Sequence, residues 1–214
     1  MIPHPSPEDV KAELGDKVLD AVSLGVAHAK EQFGIYQQQH PDWLASNTKR
    51  TVASLIHDWM WAAVAKALDE APHVVIIDRD PVRELAIRVE SEHRLSYLLR
   101  LKRHHLDGST SSYQTQTVID FELQGPNQTF PGYGEVRLEA GYEWDADTRA
   151  MGGPLITLRD GRDNVLWTLP LTPHTGIGGG TVTQPTTPGP VLPSISLQSE
   201  DEARDENGTG SDQS

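Results

Sequence analysis

The chain has 214 residues, 31 acidic and 18 basic, for a formal charge of −13, and only 36% of it is apolar. Such a charge repels phosphate backbones at long range, which excludes general nucleic-acid binding unless a local basic patch overrides the field. It contains no cysteine, so disulfides, thiolate metal sites and cysteine nucleophiles are excluded as well.

The low apolar share predicts that part of the chain does not fold, and the apolar residues are concentrated upstream of Leu171. Residues 1–7 are Pro-rich and read as a flexible N-terminus. They carry no basic segment followed by an apolar one, so no secretory signal is expected and cytoplasm is the default. A first helix is predicted after Ser6-Pro7-Glu8-Asp9, where serine can cap, proline suits the first turn and the carboxylates complement the helix dipole. Leu14, Val18, Val22, Val26, Ala29 and Phe33 then recur as one apolar stripe, and Gly34 is a natural stop.

A short link, Gln37 to Asp42, leads to a second helix that starts either near Pro41-Asp42 or after Asn47-Thr48. Its stripe runs through Val52, Leu55, Ile56, Trp59, Met60, Ala63, Val64, Ala67 and Leu68, and Pro72 ends it. The most apolar part, Trp59 to Val64, lies between Asp58 and Lys66 and is too short to span a bilayer. The two helices form an antiparallel pair over residues 8–71.

Beyond Pro72 the period falls from near four to two. His73 to Ile77 is β-branched, and Leu85, Ile87 and Val89 alternate with charge. Leu95, Tyr97, Leu99 and Leu101 alternate with Arg94, Ser96, Leu98, Arg100 and Lys102. A turn at Asp107-Gly108 follows. Residues 113–123 read either as a strand or as a strand ending at Tyr113 followed by a short helix, Gln116 to Gln124; so brief a run does not decide between them. Val136 to Trp144, Leu155 to Leu158 and Val165 to Leu171 then form an antiparallel meander with turns at 145–147 and 160–164. Helices first and strands after give a single α+β domain over 8–171, with the helix pair packed on one face of a mainly antiparallel sheet over 73–171. From Thr172 onward Gly, Pro, Ser, Thr and acidic residues dominate, which predicts a disordered acidic tail over 172–214 with one apolar island around Val191, Leu192 and Ile195.

The chemistry-bearing residues do not assemble into a known catalytic pattern. There is no His-Glu-x-x-His, His104 and His105 point to opposite faces of a strand, and His57 beside the helical stripe is explained by packing or by a partner hydrogen bond. No Gly-x-Ser-x-Gly elbow occurs, and Gly178-Gly179-Gly180 lacks the Lys-Ser/Thr of a phosphate loop. Glu90 with Glu92, Glu143 with Asp145, and Asp160 with Asp163 read as charged outer faces. No metal, cofactor or catalytic residue is assigned, and the chain is expected not to be an enzyme. The one feature opposing the global charge is Arg94, Arg100, Lys102, Arg103, His104 and His105. Alternation places Arg94, Arg100, Lys102 and His104 on one strand face, near Tyr97 and Tyr113, able to hold phosphates or an acidic peptide. The same face is otherwise a solvated one that pairs with Glu135, Glu139 and Glu143.

Leu99-Arg100-Leu101-Lys102-Arg103-His104, Asp107-Gly108, Ser112-Tyr113-Gln114-Thr115, Glu135-Val136-Arg137-Leu138, Ala140-Gly141-Tyr142-Glu143-Trp144-Asp145 and the run from Leu158 to Trp167 carry a family resemblance. Across residues 73–171 the chain resembles small actinobacterial and actinophage proteins. These are antitoxin-like companions encoded beside ImmA/IrrE-type regulators, which join a helix-turn-helix to a zinc peptidase-like domain. The resemblance implies a non-catalytic, protein-binding regulatory partner of a toxin-like protein encoded in the adjacent gene. This chain has neither the helix-turn-helix signature nor the peptidase's His-Glu-x-x-His, so it is the partner and not the peptidase. The expected contact surface is the sheet face bearing Arg100, Tyr142 and Trp144, with Lys102, His104 and Tyr113 beside it. The alternative is a nucleic-acid-associated regulator acting through the basic strand from Arg94 to His105. No membrane partner is expected. An enzyme of unrecognised type would instead show a buried cleft with convergent polar groups.

Overall fold

The computed structural model describes residues 4–79, 82–89, 94–111, 115–124 and 130–172. It is an α+β arrangement of four helices and a six-stranded sheet among those residues. The tail from residue 173 and Tyr113 lie outside them, as do Glu90 and Glu92.

Helix α1 (Pro7–Gln39) starts where the capping chemistry places it. Ser6 Oγ accepts the Asp9 amide at 3.1 Å, and the Asp9 carboxylate reaches back to Ser6 in a reciprocal box. All six residues of the predicted stripe are buried. The helix runs on through Gly34, contrary to the expected stop, because nothing after Gly34 forces a left-handed cap; it ends only at His40 before Pro41. Its real irregularity is Gly15, whose φ of 70° breaks the helical path. The two candidate starts of the second helix are both used. A short α2 (Pro41–Ser46) buries nothing, and α3 (Lys49–Leu68) begins after Thr48, which caps Thr51. Gly25 lets α1 and α3 approach closely, since a Cβ there would lie 2.4 Å from Val64 Cγ2. No helix among the described residues is long and apolar enough to cross a membrane.

The strands are β1 (Val74–Arg79), β2 (Val82–Arg88), β3 (Leu95–His104), β4 (Gly134–Asp145), β5 (Ala150–Arg159) and β6 (Val165–Pro170), paired in sequence order. Every pairing is antiparallel except β3 with β4, which run parallel from Leu95↔Gly134 to His104↔Glu143. A parallel pair cannot be closed by a hairpin and needs a crossover. That crossover holds α4 (Gln116–Glu122), capped by Thr115, so the helical alternative for this stretch is the one adopted.

Parity divides the sheet cleanly. Tyr97, Leu99, Leu101, Val136, Leu138, Ala140, Tyr142, Trp144, Ile156, Leu158, Trp167 and Leu169 join the stripes of α1 and α3 in the main core. On the other face Ala86 and Leu98 pack under Phe121 of α4. The crossover is fastened by Gln124, whose side chain donates to the carbonyls of Arg137 and Arg159 and accepts the Arg137 amide. The turn at Gly108 (φ 80°) lies against Thr168 and Thr157 on the same side. The sheet is therefore covered on both faces over its centre.

Candidate anion-binding cleft

The second cover changes what the charged parity does. Glu135, Arg137, Glu139 and Arg159 are each less than 8% exposed and form ion pairs with neighbours instead of facing water. Arg159 Nη1 lies 3.0 Å from Glu139 Oε2 and 3.6 Å from Glu122 of α4. Thr110 Oγ1 accepts from Arg159 at 2.7 Å and donates to Glu139 at 2.9 Å. Arg100 is held by Glu84 at 2.6 Å and lies over the Phe121 ring at 3.9 Å. Arg137 donates to the Asp120 carbonyl. These interactions pin α4 to β3, β4 and β5.

The expected docking face therefore needs correction. Arg100 and His104 are on the α4 side, committed to this network, while Tyr142 and Trp144 point the other way and are buried among the helices, Trp144 against Phe33. The three cannot share one surface. Arg94 is not on the strand either: it precedes β3 with φ 46°. The solvated-face pairing with Glu139 is also replaced, because Arg159 and not Arg100 occupies that carboxylate.

His104 is fully buried, with Nε2 3.2 Å from Thr157 Oγ1. Burial lowers its pKa to about 4, against the opposing pull of Glu139. In the unfolded chain an imidazole takes its proton near pH 6.5. Between about pH 6.5 and 4 the unfolded chain thus binds a proton that the folded one refuses, and stability falls as pH is lowered through that window. The expected loss is about 2–3 kcal/mol. Urea midpoints measured from pH 7.5 down to 4.5 should fall more steeply for the natural chain than for His104→Gln; parallel slopes would refute the assignment.

What the structure does bring together is Lys102 and Tyr142, at a notch where β3 outruns β2. The β2–β3 pairing ends at Glu84↔Arg100, so β2 does not extend alongside Leu101 to His104, and His104 bridges Thr110 instead. Above this ledge passes the N-terminal half of α3. The resulting cleft, about 780 Å³, is lined by Arg50, Ser54, His57 and Asp58 of α3, by Asp78 and Arg83 of the β1–β2 hairpin, by Leu101, Lys102 and Arg103, and by Tyr142; Ser111, Thr115 and Val118 close it from the crossover.

Its electrostatics oppose those of the whole chain. Among the described residues, four cationic side chains, Arg50, Arg83, Lys102 and Arg103, face two carboxylates, Asp58 and Asp78. Both carboxylates are engaged by Arg83, at 2.5 and 3.2 Å, and Trp61 Nε1 also donates to Asp78 at 2.9 Å. The Trp61 hydrogen bond, followed by Arg83, draws Asp78 below the usual carboxylate range. Burial lowers the His57 pKa, with Arg83 acting in the same direction and Asp58 opposing, and the net shift favours the neutral imidazole. Burial also lowers the Lys102 pKa; an anion beside that ammonium favours its charged form. At the floor, the Tyr142 hydroxyl is buried and has no hydrogen-bond partner among the described residues. Burial raises its pKa, which keeps it a proton donor. A buried donor without an acceptor is rare in folded proteins and costs free energy.

Arg50, His57 and Arg83 were not apparent as site residues in the sequence, because they come from two elements, α3 and β2, and share no spacing with Lys102. No three His, Asp or Glu side chains gather as they would around a metal ion among the described residues. Comparison with family models, with curated proteins and with solved structures gave no match.

Proposed function

We propose that the chain is a cytoplasmic, non-catalytic binding module whose cleft receives an acidic segment of a protein partner. The observation that carries this reading is the cationic cleft with an unmatched Tyr142 hydroxyl at its floor, set in a chain of net charge −13. Guanidinium and ammonium groups bind carboxylates by charge-assisted hydrogen bonds, and a phenol donates to the same oxygens. In a chain of net negative charge, a cationic cleft is a favoured approach for an acidic ligand. The resemblance across residues 73–171 gives the partner its class: a toxin-like ImmA/IrrE-type protein encoded in the adjacent gene, which this chain masks or regulates.

Co-expression with that protein, followed by purification of the complex and an assay of growth rescue, tests the reading. Arg50 is exposed and outside the core, so Arg50→Glu should fold normally and weaken the complex about tenfold, the coupling of one close charge pair. No complex, no rescue, or a complex indifferent to Arg50→Glu removes the proposal. The nucleic-acid alternative loses Arg100 and His104, which lie inside; salt-dependent binding of a DNA duplex to the cleft in place of the acidic partner would restore it.

A further inference from the structure

We propose that the chain's own acidic segment, Glu200 to Glu206, occupies the cleft in cis and competes with the partner for it. This rests on the reading of the cleft as an acceptor of acidic segments and adds its regulation. The run Glu200-Asp201-Glu202-Ala203-Arg204-Asp205-Glu206 holds five carboxylates and one arginine. The cleft holds the opposite balance, with Asp58 and Asp78 already engaged by Arg83. Tyr142, whose buried hydroxyl has no hydrogen-bond partner among the described residues, lines the same cleft as Lys102 and Arg103.

Geometry allows it. The described domain ends at Thr172, next to β6, and the tether from there to Glu200 comprises 27 residues. Fully extended, that length reaches about 90 Å, whereas a domain of this size has a radius of gyration of about 16 Å. Tethering gives an effective concentration on the order of millimolar, so a weak site is occupied until a partner with more contacts displaces the segment. Partner binding would then release the tail.

The absence of cysteine permits a direct test. A nitroxide placed on Ala203→Cys in the full, isotope-labelled chain at low salt should broaden the signals of Arg50, Ser54, Lys102 and Arg103. High salt and Arg50→Glu should each abolish the effect. Unlabelled isotope-enriched chain mixed with spin-labelled chain should show no broadening; broadening confined to that mixture means docking onto a second copy and overturns the cis proposal. In a second arm, Glu200→Gln, Asp201→Asn, Glu202→Gln, Asp205→Asn and Glu206→Gln are combined in the full chain. Affinity for a polyglutamate peptide should rise about threefold to tenfold. Equal affinity without broadening overturns tail docking while leaving the acidic-partner reading intact. Broadening at the cleft with no polyglutamate binding by either chain supports tail docking and sinks the partner reading instead.

Discussion

Replacing Arg159 by methionine should destabilise the domain by about 3–5 kcal/mol, the cost of stranding buried carboxylates without their cation. Arg159 sits at 3% exposure between Glu139 and Glu122, with Thr110 bridging. Its Nε and Nη2 find no acceptor among the described residues, so one nitrogen carries both ion pairs. For a domain of this size the loss corresponds to a fall of roughly 10–15 °C in Tm. Thermal unfolding followed by circular dichroism reads it. The triple variant Arg159→Met, Glu139→Leu, Glu122→Leu should recover much of the loss, because removing all the charges together leaves none uncompensated. A single variant that melts within a few degrees of the natural chain would mean that water reaches this face and that α4 does not cover it.

Gly141→Ala is the second large effect. Gly141 is paired with Lys102 across the parallel β3–β4 ladder, and a Cβ there would lie 1.8 Å from the Lys102 carbonyl oxygen. Backbone, unlike a side-chain tip, cannot turn aside, so the strands must part. The expected cost is about 3 kcal/mol, read as a lower urea midpoint. Because Lys102 lines the cleft, the same substitution should also weaken polyglutamate binding. Gly153→Ala is the control: nothing lies within 4 Å of its Cβ position, and its effect should stay within about 0.5 kcal/mol. Equal midpoints for the two variants would show that β3 and β4 are not in close register here.

These two positions also show where the sequence ceases to be legible. The stripe from Val52 to Leu68 and the meander from Val136 to Leu171 were readable because each buries one face, and burial writes its period into the sequence. Tyr97, Leu99 and Leu101 were readable for the same reason. The opposite parity misled: Arg100, Glu139 and Arg159 look like a solvated face, yet the crossover covers them. The available signal was length. About thirty residues separate His104 from Gly134, far more than a hairpin needs and enough for a helix-bearing crossover to a parallel strand. The cleft was half legible. Lys102 and Arg103 stood out against a negative chain, but Arg50 and His57 join them only through the packing of α3 over the end of β3, and Arg83 through the β1–β2 hairpin. Tyr142 was singled out as an exposed docking residue, whereas its whole side chain, hydroxyl included, is buried beside the cleft.

The account turns on an acceptor for carboxylates at the mouth between α3 and β3. Titrating the isotope-labelled full chain with a polyglutamate peptide at low salt tests that most directly. Saturable shifts confined to Arg50, Ser54, His57, Lys102, Arg103 and Ser111, lost in Arg50→Glu and reduced in Tyr142→Phe, are the predicted result. Shifts scattered over the surface, or none at any peptide concentration, would contradict it.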